Sequence, residues 1–163
     1  MKKIAFVFTL FVSTVLVACN ESGKKQGNGN PGLKEQADSL EKKVDEEHIV
    51  AMRKFMKIPD LQKKVNHLLD SIAKLPAKAR ETAASYKGEL EVLNKELGEA
   101  SASMENWMEA FGERLQELNE ESMKDSLEQR VKFLTEEKIK VDRVKEAVLG
   151  STQKAAALLK EKL

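Results

Sequence analysis

The chain is expected to be all-α: an elongated antiparallel three-helix bundle behind a leader and a tether. Three observations predict this. Apolar residues recur at steps of three and four in three successive segments after residue 33. No stretch sustains the apolar–polar alternation of a strand, and no hairpin dipeptide separates two apolar runs. Charged residues make up 34% of the chain, with both signs mixed, against 8 glycines and 3 prolines in 163 residues. Helices with one buried stripe and a solvated remainder have that composition.

Residues 1–18 read as a leader. Met1, Lys2 and Lys3 give a positive start, and Ile4 to Val17 are apolar except for Thr9, Ser13 and Thr14. A run of about 14 residues is too short to cross a bilayer core, which takes roughly 20. A basic start, a short apolar run and small residues after it are the marks of a signal peptide. The run closes on Leu16-Val17-Ala18-Cys19, and Cys19 is the only cysteine. This resembles the lipobox of bacterial lipoproteins. The resemblance implies that the Cys19 thiol takes a diacylglyceryl group and that cleavage falls between Ala18 and Cys19. The new amino terminus is then acylated as well. Cysteine suits the role because its thiolate is a strong nucleophile at accessible pH. Two or more acyl chains make a stable anchor where one gives only marginal binding. Asn20, rather than Asp, follows the cysteine. By the Gram-negative sorting rule this points to the outer membrane, with the body facing the periplasm.

Residues 19–32 are the lipidated cysteine and a tether. Asn20 to Gly32 contains four glycines and no large apolar residue, so it is expected to be flexible and to reach roughly 20 Å. Residues 33–163 are the bundle, with helices over about 34–74, 77–118 and 122–161. In the first, Leu40, Val44, His48, Ala51, Phe55, Ile58, Val65, Leu69 and Ile72 share a face. Pro59 predicts a kink or break, and Pro76 suits the first turn of the next helix. In the second, Tyr86, Leu90, Leu93, Leu97, Ala100, Met104, Trp107 and Phe111 form a heptad-like seam that Leu115 and Leu118 extend. Gly88, Gly98 and Gly112 lie inside it. Each costs roughly 1 kcal/mol against alanine and is expected to serve a bend or a close helix approach. Residues 119–122 are the expected turn. In the third, Leu127, Val131, Leu134, Val141, Val144, Val148, Ala155 and Leu159 carry the period, with Ser122 or Asp125 as the cap.

Several functions are disfavoured. The net charge is +1, and −1 once Lys2 and Lys3 leave with the leader; a nucleic-acid binder should carry a basic excess. No P-loop, GxSxG, HExxH or CxxC motif occurs, so no enzyme is expected. Runs such as Glu136, Glu137, Lys138 and Lys140 read as a solvated helix face. His48, Met52 and Met56 stand at i, i+4 and i+8, with Met104 and Met108 as a second pair. Imidazole and thioether are acceptable ligands for Cu(I), which makes an envelope metal or small-ligand carrier the alternative function. The plainer reading of these methionines is core filler. Trp107, with Met108 and Phe111, is the candidate contact for a protein partner, since tryptophan is enriched at hot spots. The plainer reading of Trp107 is packing on its helix seam.

Two stretches carry a resemblance. Ser103-Met104-Glu105-Asn106-Trp107-Met108-Glu109-Ala110-Phe111 resembles an M-x-x-W-M-x-x-F pattern, and Glu136 to Lys145 resembles E-K-x-K-V-x-x-V-K. Both patterns belong to a group of small helical lipoproteins of Bacteroidota-type bacteria, often labelled viral A-type inclusion proteins. With the lipobox, the resemblance covers about half the chain. It departs in the first helix, where that group usually has a Met-Pro pair and here Met56 and Pro59 stand three residues apart. It implies a helical lipoprotein with no assigned activity. The expected protein is therefore a lipid-anchored envelope module with no cofactor beyond the lipid on Cys19. It would meet an unknown protein partner or a second copy of itself, and no nucleic acid.

Overall fold

A computed structural model describes residues 31–118 and 126–160. These residues are all-α, with no strand among them. The helices are α1 (Pro31–Phe55), α2 (Ile58–Ala73), α3 (Ala77–Thr82), α4 (Ala84–Leu118) and α5 (Leu127–Leu159). Two of the three expected segments are thus divided. The leader, Cys19, most of the tether, and the expected caps Ser122 and Asp125 lie outside the described residues.

The first division follows from Pro59. Its nitrogen carries no hydrogen, so the carbonyl four residues back, on Phe55, loses its partner, and the ring crowds that carbonyl. The chain responds at Met56 and Lys57. Met56 N–H still donates to Met52 O at 3.1 Å, but Lys57 N–H turns to Lys54 O at 3.0 Å, one residue tighter. Helix α2 then starts with Pro59 in its first turn, where a missing N–H costs nothing. The second division is slighter. Ala83 N–H donates to Ala79 O and Lys87 N–H to Ala83 O, so helical bonding runs on past the irregular residue. Pro76 stands at the N-cap of α3, one place before the expected position. The cap of α5 is Ser126, whose Oγ accepts from Gln129 N–H at 3.4 Å.

Helix α1 packs chiefly on α5, α4 on α5, and α2 on α4. The main core runs from Val44, Ala51, Ile58, Leu61 and Val65 through Leu90, Leu93, Leu97 and Met104 to Val141, Val144, Val148 and Ala155. A smaller cluster of Ala37, Phe133 and Leu134 sits near the start of α1 and α5. Most of the residues on the three expected stripes are buried or half-buried. Ala37, Leu61 and Phe133 join the core from outside those stripes. Cross-helix pairs give the directions. Glu41 pairs with Arg130 and Glu47 with Lys145, so residue numbers rise together along α1 and α5. Glu96 pairs with Lys154 and Arg114 with Glu136, so numbers fall along α4 as they rise along α5. The Glu47 hydrogen bond holds the Lys145 ammonium above its ordinary pKa.

The glycines of α4 are not used as expected. Helix α4 runs unbroken through all three, and none has a positive φ. A methyl group at Gly88 or Gly112 would meet nothing within 4 Å, and at Gly98 only the Gln62 amide at 3.6 Å. Replacing Gly112 with alanine therefore adds helix propensity at no steric cost. Gly112→Ala is expected to stabilise the fold by about 0.5–1 kcal/mol, read as a thermal midpoint higher by a few degrees in circular dichroism. A lower midpoint would mean that residue 112 touches another surface.

Candidate functional site

The most unusual chemistry among the described residues lies where α1, α4 and α5 meet. Glu137 is 1% exposed, a carboxylate inside an apolar seam. Its position explains this, because Leu134, Glu137, Val141 and Val144 continue one stripe of α5 at steps of three and four. A buried carboxylate must be paired and hydrogen-bonded, and Glu137 is. Oε2 accepts from the indole Nε1–H of Trp107 at 3.0 Å. Oε1 accepts from Arg114 Nη1 at 3.3 Å and from Lys140 Nζ at 2.8 Å. The two cations remain half-hydrated, with side chains 40% and 46% exposed. Only the carboxylate is taken out of water.

An aromatic ladder runs through the same place. His48 and Trp107 have centroids 5.2 Å apart and tilted rings. Trp107 stacks on Phe111 at 5.2 Å, and Phe111 on Phe133 at 5.5 Å. The Arg114 guanidinium covers the outer face of Phe133 at 5.0 Å, a cation–π contact, while it also grips Glu136. One arginine thereby closes both the ladder and the carboxylate network. The Nε2 of His48 is buried and has no hydrogen-bond partner.

This arrangement is suited to fixing helix register. The carboxylate's donors come from its own fold, and the lining of the nearest concave surfaces includes Arg114 and Phe133 but not Glu137 or Trp107. A fully satisfied polar network in a core specifies one packing among several apolar alternatives. Sliding α4 against α5 by one turn would strand the indole N–H and leave the carboxylate with Lys140 alone.

The structure places the other candidates as follows. Trp107 is 6% exposed and its N–H is already used. It is a core residue. Met108 and Phe111 are half-buried and pack against the same core. His48 and Met52 are half-buried, but α1 ends at Phe55 and Met56 stands 71% exposed in the turn. Among the described residues, no group of three or more His, Cys, Asp or Glu is placed to hold a metal ion. Ala18 and Cys19 lie outside the described residues. Glu137 corrects the sequence reading, which put it on a solvated face. The signal was the seven-residue step between Leu134 and Val141, which residue 137 or 138 had to fill; the same step recurs between Val148 and Ala155, where Ser151 and Thr152 are buried.

No family model, no curated protein and no solved structure matches this chain.

Proposed function

We propose that this chain is a lipid-anchored cell-envelope lipoprotein whose helical body is a non-catalytic structural or protein-interaction module. The observation that carries the reading is the basic start and short apolar run closing on Leu16-Val17-Ala18-Cys19, with no second cysteine in 163 residues. On this reading the leader is cut before Cys19, the lipid on that sulfur holds the protein, and Asn20 directs it to the outer membrane. The residues up to Gly32 set the body off from the membrane. The body is an elongated antiparallel three-helix bundle, with α1 and α2 as its first rod, α3 and α4 as its second and α5 as its third. The order of the cross-helix pairs supports that topology. The self-satisfied network at Glu137 supports a scaffold that keeps one shape. No described helix is long and apolar enough to cross a membrane, so on this reading the lipid supplies the hold. The body presents its outer surface to a protein partner or to another copy of itself.

Cys19→Ser tests the reading. Serine keeps the size and removes the thiolate, so lipid transfer stops. At about 0.8 kcal/mol per buried methylene, even one long acyl chain contributes on the order of 10 kcal/mol of membrane binding. Wild-type protein from labelled cells is expected to carry radiolabelled fatty acid and to stay with the membranes in carbonate. The variant is expected to lose the label and to retain its leader uncleaved. Equal labelling of the two chains would rule the anchor out.

A further inference from the structure

Charge along the chain is near zero in sum but sharply segregated. Residues 53–80 hold eight basic and two acidic side chains, a net of +6. Residues 89–117 of α4 hold two basic and eight acidic, a net of −6. The overall neutrality that argues against a polyanion partner therefore conceals a strongly basic stretch.

That stretch is open to solvent. Arg53, Lys57, Lys63, Lys74, Lys78 and Arg80 are all exposed. Among the described residues none of the six forms an ion pair, whereas lysines elsewhere, such as Lys87, Lys138 and Lys145, do. Lys63 of α2 and Lys74, which caps its C-terminus, are eleven residues apart, close to three helical turns, so they share a side. That side lies opposite the buried stripe Ile58, Leu61, Val65 and Ile72. Two large apolar side chains stand among the cations: Met56 at 71% and Leu75 at 39% exposure. Helix α3, with no buried residue, continues the basic surface.

We infer that this stretch is a second membrane-contact surface, one that adsorbs to the anionic phospholipid headgroups of a bilayer. Three features favour lipid over other polyanions. Lysine outnumbers arginine by six to two in residues 53–80, and lysine acts as a point charge rather than a bidentate reader of particular phosphates. No tryptophan or tyrosine stands among these residues, and their one phenylalanine, Phe55, is half-buried against the core, so no exposed Trp, Tyr or Phe ring is offered to a base. The exposed Met56 and Leu75 supply apolar side chains that enter the headgroup boundary beside cations. Position adds to the inference. At 1.5 Å per residue, Lys63 and Lys74 stand roughly 45 to 60 Å along the helices from Gly32, where the chain enters the body. This rests on the proposed lipid anchor: the anchor holds one end of the rod and the basic stretch lies towards the other. The protein then bridges two surfaces or lies down on one.

The test uses the lipidated full chain, purified from membranes and reconstituted into phosphatidylcholine vesicles. Fluorescent acceptor vesicles, either pure phosphatidylcholine or with 30% phosphatidylglycerol, are added at about 0.1 M salt. Donor vesicles are expected to capture the anionic acceptors and not the neutral ones, and capture should vanish at high salt, where screening lengths fall to a few ångströms. Lys57→Gln, Lys63→Gln, Lys74→Gln and Lys78→Gln combined should lower capture at least tenfold. Glu105→Gln with Glu109→Gln should not lower it. All six positions are exposed, and circular dichroism checks that both variants keep the helical signal. Equal capture of neutral vesicles, undiminished capture by the lysine variant, or binding of a duplex oligonucleotide without vesicle capture would overturn the inference. Failure of the anchor reads out separately, as protein that does not float with the donor vesicles. In that case direct binding of the chain to anionic acceptors, lost in the lysine variant, still supports the basic surface.

Discussion

Trp107→Ala is expected to destabilise the fold by about 3–5 kcal/mol. The indole is 6% exposed and links three helices: it meets His48 of α1, stacks on Phe111 of α4 and donates to Glu137 of α5. Alanine removes the ring, opens a cavity and takes the donor from Oε2. Natural domains hold only about 5–15 kcal/mol in total, so the variant is expected to be partly unfolded or readily degraded. Trp107→Phe separates the contributions. It keeps a six-membered ring in place and removes the N–H with three ring atoms, so one carboxylate oxygen is left unsatisfied at about 1–3 kcal/mol, on top of a smaller cavity than alanine leaves. Urea unfolding followed by far-ultraviolet circular dichroism measures both, since the only tryptophan is the one removed. A cost for Trp107→Ala below about 1 kcal/mol, the range of surface substitutions, would contradict the buried placement.

Glu137→Ala is expected to cost about 2–4 kcal/mol. Breaking a fully buried ion pair costs roughly 3–5 kcal/mol because a charge is left stranded. Here the loss is smaller, because Arg114 and Lys140 are half-exposed and turn to water, and Arg114 keeps Glu136. The stranded group is instead the indole N–H of Trp107, which has no other partner. The account therefore predicts coupling. Glu137→Leu alone is destabilising, but Glu137→Leu with Trp107→Phe recovers part of the loss, because both buried polar atoms leave together. The interaction energy from the double-mutant cycle is expected at about 1–3 kcal/mol. Simple additivity would mean the two side chains do not meet.

The helical body was largely legible in the sequence because its stripes are regular. Leu90, Leu93, Leu97, Ala100, Met104 and Trp107 are buried where their spacing placed them. Pro59 announced the interruption of the first segment, although the break falls at Met56 and Lys57, upstream of the ring that causes it. The centre of the site was not legible. Glu137 sits in a charged run, and polarity alone put it in water. Lys140 is a local partner three residues on, but the burial also needs Trp107 and Arg114, thirty and twenty-three residues away, and a one-dimensional pattern carries no such pairing. Trp107 was open to two readings, a partner contact and the plainer one of packing on its helix seam. Tryptophan serves both at partner surfaces and in cores, and the choice was made by whether its N–H found an acceptor inside. The basic stretch was concealed by averaging, because the acidic α4 cancels it in the whole-chain sum.

The central claim is that lipid on a single sulfur holds this helical body at a membrane. Mass spectrometry of the amino-terminal peptide, from protein extracted out of bacterial membranes, tests it most directly. The account predicts a chain beginning at Cys19, heavier than the bare peptide by a diacylglyceryl group and an amide-linked acyl chain. A chain still beginning at Met1, or a Cys19 with an unmodified thiol, would contradict it.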